Sequence, residues 1–432
     1  MGIINRGGYM KVLSKDLGSY KLHLINTDKF KTVTVKVVFH TPIKKDEITK
    51  RLLVTSILLQ SSKKFDSRRK LTIESENLYS ADLSISNQRL GNYITTSFNL
   101  QVLMDKYTES GNFEKALDFM HEVVFNPDVS NNEFKKEKVD VVKHDCLVKL
   151  NSIKESPGRY ASIRLGELFD SKSPISYRMI GYNDDLDIID EKNLYESYLD
   201  MINTDYVDIF VVGDFDNKEM ISMIKKYFKF KKIKKPKKTY ILKNRNYRLR
   251  RLFSKEEINN TQSALAIACP VYRLNKYERD YALVLGNLIF GGGADSKLFK
   301  DVREENSLCY TIRSLYSKMD NMLIIRAGID RVNYTKAITI ITKKLDEMKK
   351  GKFSEEDINK VKEEYLNSLE NLEEDEERMI NEVMSSEILE LDDIKTRIST
   401  IRKVKKSDIV KAFRKIHMDT VFLLEGVLDE ED

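Results

Sequence analysis

Apolar and polar residues follow one another along the chain in patterns that predict strands and helices in a definite order. Two alternating runs near the start, residues 20–25 and 33–40, predict a pair of strands joined by a short turn. Residues 46–60 then place apolar side chains at helical spacing, and residues 78–100 contain two alternating runs typical of a β-hairpin. The first part of the chain therefore predicts strands, a helix and a hairpin.

Helical spacing recurs after this hairpin, and an apolar strand closes the first half. The predicted helices cover about 112–124, 132–151, 159–169 and 190–201. Residues 61–70 are polar and basic, which predicts a loop, whereas residues 207–212 are apolar and end at Gly213, which predicts the closing strand.

The second half repeats this order with different residues. It predicts a strand at 263–269, a helix at 276–290, a hairpin from 309–313 and 323–328, helices at 334–349 and 354–372, and a final strand at 421–424. One order that occurs twice, about 220 residues apart, indicates an internal duplication. We therefore predict an α+β fold of two duplicated domains, each an antiparallel-rich sheet with helices packed on one face.

Length and composition fit this organisation. A chain of 432 residues, 41% hydrophobic and 33% charged, is long enough for two globular domains. No apolar run approaches the roughly 20 residues that cross a bilayer, and the amino-terminal residues lack the apolar core of a secretory signal. The three cysteines, Cys146, Cys269 and Cys309, form no CxxC pair, which argues against a disulfide framework. We expect a cytoplasmic protein that does not engage membranes.

The net charge of +6 comes from one local run. Residues 225–251 hold 14 lysines and arginines and no acid, so the remainder of the chain is acidic, with a net charge of −8. Interleaved aromatic residues allow a nucleic-acid patch, whereas the alternative is a solvated, self-repelling tether between domains. We favour the tether because an acidic remainder would repel phosphate. The predicted domains are residues 1–222 and 253–432, joined by a basic linker at 223–252.

The stretch from residue 290 to 310 concentrates unusual residues. Three glycines, Gly291, Gly292 and Gly293, follow the predicted helix and allow a sharp turn, a positive φ or the close approach of another backbone. Arg303 then ends a short amphipathic helix, and Tyr310 opens a strand seven positions later. A guanidinium and a phenol in these places can converge on one carbonyl or one extended peptide. A plain helix-breaking turn, a surface arginine and a half-buried tyrosine remain the alternative.

Several catalytic motifs are missing. None of the five histidines is four positions from another, so neither HExxH nor HxxEH can be written. No GxSxG, Walker-type glycine loop or dinucleotide fingerprint occurs either. These absences argue against metal or nucleophile catalysis by this chain alone.

Two stretches nevertheless resemble a known family. The segment IFGGGADSKLFKDVREENSLCYTI resembles the second-half signature of the pitrilysin/insulinase-type zinc peptidases, the inverzincins. Residues 179–216, which include VVGDFD, are similar to the end of the first domain in that family. With the duplicated order, the resemblance covers nearly the whole chain. It implies the half-clamshell fold of pitrilysin and the mitochondrial processing peptidase.

The resemblance also shows what has been replaced. In active members the first helix carries HxxEH, and here the matching positions hold Val54 and Leu58. The family's later pair of glutamates falls on Glu137 and His144. One histidine cannot hold a catalytic zinc ion, which needs three protein ligands. The resemblance therefore implies a degenerate zinc site and no metal in this chain.

The family's second-domain apparatus is kept. Arg303 and Tyr310 match its Arg–Tyr pair, which holds substrate together with the glycine turn at Gly291–Gly293. The resemblance implies a non-catalytic subunit of a bacterial heterodimeric peptidase, whose HxxEH-bearing partner chain holds the zinc. We expect an extended peptide to add to the edge of a hairpin, either 78–100 or its equivalent in the partner. The alternatives are a non-proteolytic scaffold or peptide-binding protein and, less favoured, a nucleic-acid-associated protein.

Overall fold

The computed structural model describes residues 3–5, 10–233 and 239–427. Most strands coincide with the alternating or β-branched runs of the sequence, as expected for side chains that pack on a pleated surface. The strands are β1 (Ile3–Asn5), β2 (Lys11–Asp16), β3 (Lys21–Asn26), β4 (Thr32–Pro42), β5 (Asp82–Leu90), β6 (Tyr93–Leu103), β7 (Val129–Ser130), β8 (Glu133–Phe134), β9 (Tyr206–Gly213), β10 (Leu252–Ile258), β11 (Ser263–Pro270), β12 (Cys309–Ser317), β13 (Met322–Ile329) and β14 (Thr420–Gly426).

Several helices begin at an aspartate whose side chain accepts hydrogen bonds from the first free backbone amides, as at Asp190 and Asp216. The helices are α1 (Ile48–Leu58), α2 (Arg68–Asn77), α3 (Asn112–Phe125), α4 (Lys136–Asn151), α5 (Pro157–Phe169), α6 (Asn183–Ile188), α7 (Glu191–Thr204), α8 (Asn217–Tyr227), α9 (Leu283–Asn287), α10 (Tyr334–Lys349), α11 (Glu355–Glu370), α12 (Glu376–Leu389), α13 (Ile394–Lys403) and α14 (Lys406–Phe413). Short 3₁₀ and π-helical turns extend some of them.

The chain forms two compact units that are not contiguous in sequence. The first contains the described residues of Met1–Leu150, Arg178–Thr239 and Asn371–Glu390. The second contains those of Asn151–Tyr177, Tyr240–Glu370 and Leu391–Asp432. These units differ from the predicted ranges 1–222 and 253–432, because α5 belongs to the second unit and α12 to the first.

The first unit is built on a seven-stranded sheet in the order β1-β2-β3-β9-β4-β6-β5. Strand β9 lies between β3 and β4, parallel to β3 and antiparallel to β4. The prediction that the runs at 20–25 and 33–40 pair with each other is therefore wrong. Nearly every residue of β9 is buried, so this strand requires a central position that is covered on both faces. Direct pairing of β3 with β4 would have excluded β9 from that position.

The two faces of this sheet are covered by different helices. Val35, Val37 and Phe39 of β4 enter the main core of the unit, to which α1, α3 and α7 also contribute. The alternate residue Thr34 lies on the opposite face, where its hydroxyl donates to the Glu376 carboxylate of α12. Glu376 also accepts a hydrogen bond of 2.7 Å from the Gln101 amide of β6. A helix from late in the sequence thus covers the second face.

The second unit has a five-stranded sheet in the order β10-β14-β11-β13-β12. Strand β14 is parallel to β10 and antiparallel to β11. The order β3-β9-β4-β6-β5 in the first unit has the same directions at the equivalent pairs. The predicted duplication and the α+β class are therefore confirmed at the level of strand connection.

The sheet of the second unit also has helices on both faces. Leu265 and Ile267 of β11 face a core shared with α9, α10 and α14. The alternate residues Ala264, Ala266 and Ala268 pack against α5 on the other face. Their small side chains allow that helix to lie close to the sheet. The prediction placed helices on one face of each sheet. The structure shows a further helix on the other face, α12 in the first unit and α5 in the second.

The helix α2 is where local prediction fails. The predicted loop at residues 61–70 ends earlier, since α2 begins at Arg68. Leu71 is the only buried residue of this helix, so its sequence lacks the apolar periodicity that marks a helix. Strand β10, which alternates only half-buried and exposed residues, was also not predicted. Among the described residues, no helix combines the length and apolar character needed to cross a bilayer.

Candidate functional site

The two positions that match the first zinc ligands lie in the core of the first unit. Val54 is 1% exposed and Leu58 is 0% exposed, and both pack among the apolar side chains of the sheet and α3. Neither side chain carries an atom that can bind a metal. This turn of α1 therefore stabilises the fold through apolar packing and supplies no metal ligand.

The two later positions lie on the outer side of α4. Val139, Val142, Cys146 and Leu150 form the buried stripe of this helix. Glu137 and His144, seven residues apart, share a different side and are both exposed. The structure thus places two of the four positions in a core and two at a surface. No three His, Cys, Asp or Glu side chains in the described ranges are grouped as metal ligands would be, and these residues do not fit a zinc ion.

A buried ion pair occupies α1 instead, and sequence reasoning did not find it. The Arg51 guanidinium donates to the Asp205 carboxylate at 2.6 and 3.3 Å, with both side chains nearly inaccessible. One turn further along α1, the Thr55 hydroxyl accepts a hydrogen bond of 2.8 Å from the Asn87 amide of β5. These contacts fix α1 against its neighbours. The available signal was a charged residue on the apolar side of a helix, because Arg51 lies three positions before Val54 and seven before Leu58.

The three cysteines offer no nucleophile. All three are free thiols and buried. Burial raises the pKa of Cys269 to about 12 and that of Cys309 to about 11. These thiols are therefore protonated near neutral pH, whereas a nucleophilic cysteine requires the thiolate.

The glycine turn in the second unit owes its composition to close packing. A Cβ at Gly291 would lie 2.7 Å from the Leu298 side chain and from the Ser314 hydroxyl, and one at Gly292 would lie 2.5 Å from the Asn287 amide. None of the three glycines has a positive φ, so the chain does not use this one of the conformations that glycine allows. The chain passes through a π-helical turn, Leu288–Gly292, before it becomes extended at Gly293. The close approach of neighbouring groups is thus what excludes larger residues.

Arg303 and Tyr310 lie at either end of the connection between the short helix and β12. Arg303 is near the end of a π-helical turn, Phe299–Glu304, and its guanidinium carbon lies 4.8 Å from the Phe299 ring centre. Tyr310 is 52% exposed, at an irregularity in the pairing of β12 with β13. This bulge leaves both Tyr310 and Thr311 exposed in succession, where a regular strand would bury one of them.

A cavity of about 610 Å³ lies beside this connection, within the second unit. The structure brings together Arg303, the glycine turn and Thr311 of β12 in its wall, whereas Tyr310 is not among the residues that line it. Two further arginines that sequence reasoning missed, Arg313 and Arg326, also line it. The sequence shows one arginine on each strand of the predicted hairpin. Only the register of the two strands reveals that these arginines lie opposite each other.

Part of the basic linker serves the second unit itself. Arg245 and Arg248 both donate to the Asp419 carboxylate, at 2.6 and 2.8 Å, and the Asp419 side chain is fully buried. Their guanidinium groups also donate to the carbonyls of Leu168 and Phe169. The predicted solvated tether is therefore wrong for these two arginines, which neutralise a buried acid. Residues 234–238 of the linker lie outside the described residues.

The chain has relatives of known family. Residues 189–365 match a family model described as "Peptidase M16 inactive domain". Over 430 residues the chain is 30% identical to the "Probable inactive metalloprotease YmfF" of Bacillus subtilis, which covers 97% of this chain and 98% of the relative.

Solved structures share the fold over nearly the whole chain. A conserved protein from Enterococcus faecalis aligns with a TM-score of 0.85 and 26% identity, covering 97% of this chain and 99% of that one. The peptidase M16 inactive domain from Pseudomonas fluorescens aligns with a TM-score of 0.77 and 15% identity, covering 96% of this chain and 98% of that one. The second similarity concerns the fold alone.

Proposed function

The chain belongs to the peptidase M16 family, and we propose that it is a non-catalytic, substrate-binding subunit that works with a homologous chain carrying HxxEH. The observation that carries this proposal is a contrast between two sets of positions. Val54 and Leu58 stand in the core where metal ligands would be, whereas Arg303 and the glycine turn line an open cavity. The chain has lost the groups that cut a peptide and retains groups that can hold one.

The role of the retained groups follows from their chemistry. Arg303 and Tyr310 present a guanidinium and a phenol, which donate hydrogen bonds to carbonyl oxygens of a bound peptide. Such donors stabilise a peptide near the bond that the partner cleaves, and the expected zinc is in the partner. An extended peptide can also add as a strand to β5, which is the edge of the seven-stranded sheet. Hydrogen bonds between the backbones of the peptide and β5 then supply affinity that does not depend on the sequence of the peptide.

The test compares the chain alone with the chain mixed with an HxxEH-bearing homologue from the same genome. Bound zinc, association by size-exclusion chromatography and hydrolysis of an unstructured fluorogenic peptide are measured in each case. We expect little zinc and no turnover from the chain alone, and turnover from the mixture. Replacing Arg303 by Ala should lower kcat/KM of the mixture by about 10²-fold, the typical cost of one such donor.

Arg402→Ala is the matched control, because Arg402 is an exposed arginine on α13 of the same unit and does not line the cavity. It should leave kcat/KM unchanged. Association without any effect of Arg303→Ala or Tyr310→Phe on hydrolysis would overturn the substrate-holding role and favour the scaffold alternative. Stoichiometric zinc with peptide turnover by the chain alone would overturn the whole proposal.

A further inference from the structure

The cavity beside the glycine turn has an unbalanced charge. Three arginines line it, Arg303, Arg313 and Arg326, and none of its lining residues is Asp or Glu. The remaining lining residues are glycines, small or apolar side chains and the polar residues Gln262, Ser263 and Thr311. A volume of about 610 Å³ is within the range of sites that hold small ligands or a few residues of a peptide. The cavity is thus large enough for a ligand, and all the charged side chains that line it are arginines, although the Glu364 carboxylate approaches its wall, 3.3 Å from where a Cβ on Gly293 would lie.

Two of these arginines face each other directly. Arg313 of β12 and Arg326 of β13 are partners in the antiparallel register, and both are exposed. Like charges directly opposite on neighbouring strands destabilise a sheet. Arg326 stands in a concave wall, and partial burial there, together with the positive charge of Arg313, lowers its pKa. The fold alone gains nothing from this pair.

Other arginines of the chain are paired with a buried carboxylate. Arg51 has Asp205, and Arg245 and Arg248 have Asp419 as a carboxylate partner. Over residues 3–5, 10–233 and 239–427, no carboxylate lies within ion-pair distance of the three arginines of the cavity, and the Arg303 guanidinium lies over the ring of Phe299. Their positive charge is therefore available to a ligand.

The start of α5 adds to this field. Pro157 and Gly158, the first two residues of α5, line the cavity. The cap residue Ser156 makes no side-chain capping hydrogen bond, and a Cβ at Gly158 would meet no atom within 4 Å. The positive end of the helix dipole therefore lies at the same cavity as the arginines.

We propose that this cavity binds carboxylate groups of an acidic peptide segment, with Arg313 and Arg326 as the main ligands and Arg303 as the third arginine of its wall. A guanidinium fits a carboxylate through two parallel hydrogen bonds, so two facing arginines can hold one or two carboxylates. A free phosphate shares this oxyanion chemistry. The assignment to a peptide rests on the proposed function, and it narrows the substrate class to peptides with Asp or Glu in the bound segment.

The test uses the isolated full-length chain, so that it does not depend on a partner or on hydrolysis. Fluorescence anisotropy measures the binding of a short labelled peptide rich in Glu and of the same peptide with Gln at those places. We expect the Glu peptide to bind at least about tenfold more tightly, with an affinity that falls as salt rises. The double variant Arg313→Gln/Arg326→Gln should abolish this preference, and Arg402→Gln should keep it.

The outcomes separate this proposal from the previous one. Equal affinity for the two peptides, or a preference unchanged in the folded double variant, would overturn the acidic-peptide site while leaving the subunit role intact. Competition then separates the two oxyanions: displacement by unlabelled Glu peptide at a lower concentration than by inorganic phosphate supports a peptide site. Displacement by phosphate at the lower concentration would overturn it. Thermal unfolding of each variant shows whether it is folded.

Discussion

The two units surround their arginines in opposite ways. In the first, Arg51 of α1 is almost inaccessible and donates twice to Asp205, which is equally buried. In the second, Arg313 and Arg326 oppose each other across two strands in the wall of a cavity that no acid lines. The two units otherwise share one strand order. In the first unit the positive charge is buried and neutralised by a carboxylate. In the second unit the positive charges line an open cavity and have no carboxylate partner among the described residues.

This difference supports the proposal that the second unit binds a ligand. A buried charge without a partner costs several kcal/mol, so an ion pair such as Arg51–Asp205 is required once the arginine is inside. The facing arginines bring no such gain and persist at some cost to stability. An unsatisfied charge in a cavity is explained when a ligand supplies the missing partner. The comparison thus predicts opposite effects of removing a charge from the two regions.

The largest effect is expected in the first unit. Asp205→Ala leaves Arg51 buried without a carboxylate and should lower the free energy of unfolding by about 3–5 kcal/mol. Chemical denaturation followed by circular dichroism measures this loss. Asp200→Ala replaces an exposed aspartate on α7, the helix that ends one residue before Asp205, and should change stability by less than about 0.5 kcal/mol. Equal stability of the two variants would show that the ion pair is not required.

A smaller effect is expected at the glycine turn beside the cavity. Gly291→Ala introduces a Cβ 2.7 Å from the Leu298 side chain and the Ser314 hydroxyl, and should cost about 1–3 kcal/mol. Gly158→Ala is the matched control, since it lines the same cavity, has open space around it and lies in a helix. It should be neutral or stabilising by up to about 1 kcal/mol. If Gly291→Ala were tolerated as well, the turn would be a helix end without a packing requirement.

The smallest effect has the opposite sign. Arg326→Gln removes one of two facing positive charges and should raise the free energy of unfolding by about 0.2–1 kcal/mol. Unfolding at low and high salt measures this gain, which should shrink as salt screens the repulsion. Arg402→Gln, exposed and away from the cavity, should show no gain. A loss of stability in Arg326→Gln would mean that the arginine makes a favourable contact in the fold.

Much of the fold could be predicted from periodicity. The helix at 334–349 and the repeated order of elements were read directly from apolar spacing, which local geometry enforces. The placement of β9 between β3 and β4 could not be read, because it depends on a strand more than 150 residues away. The exchange of α5 and α12 between the units is likewise a long-range choice, since both helices have ordinary amphipathic sequences.

Part of the candidate site could likewise be predicted from the sequence, and part could not. Arg303, Tyr310 and the glycine turn were found from one continuous stretch with unusual residues and a family signature. Arg313 and Arg326 were not, because each is an ordinary exposed strand residue in isolation. Their meaning arises from the register of β12 with β13, which brings the two charges together.

By itself the sequence determined that the chain has two α+β repeats, that Val54 and Leu58, which cannot bind zinc, stand at two positions that match zinc ligands, and that Arg303 and Tyr310 lie seven positions apart. These properties depend on residue identity and short-range spacing, which are read without knowing distant neighbours. Only the tertiary structure decided that Arg51 is neutralised by Asp205, that Asp419 engages part of the basic linker, and that three arginines share one cavity without an acid. Those outcomes depend on which distant segments meet, because charge acts through distances in space.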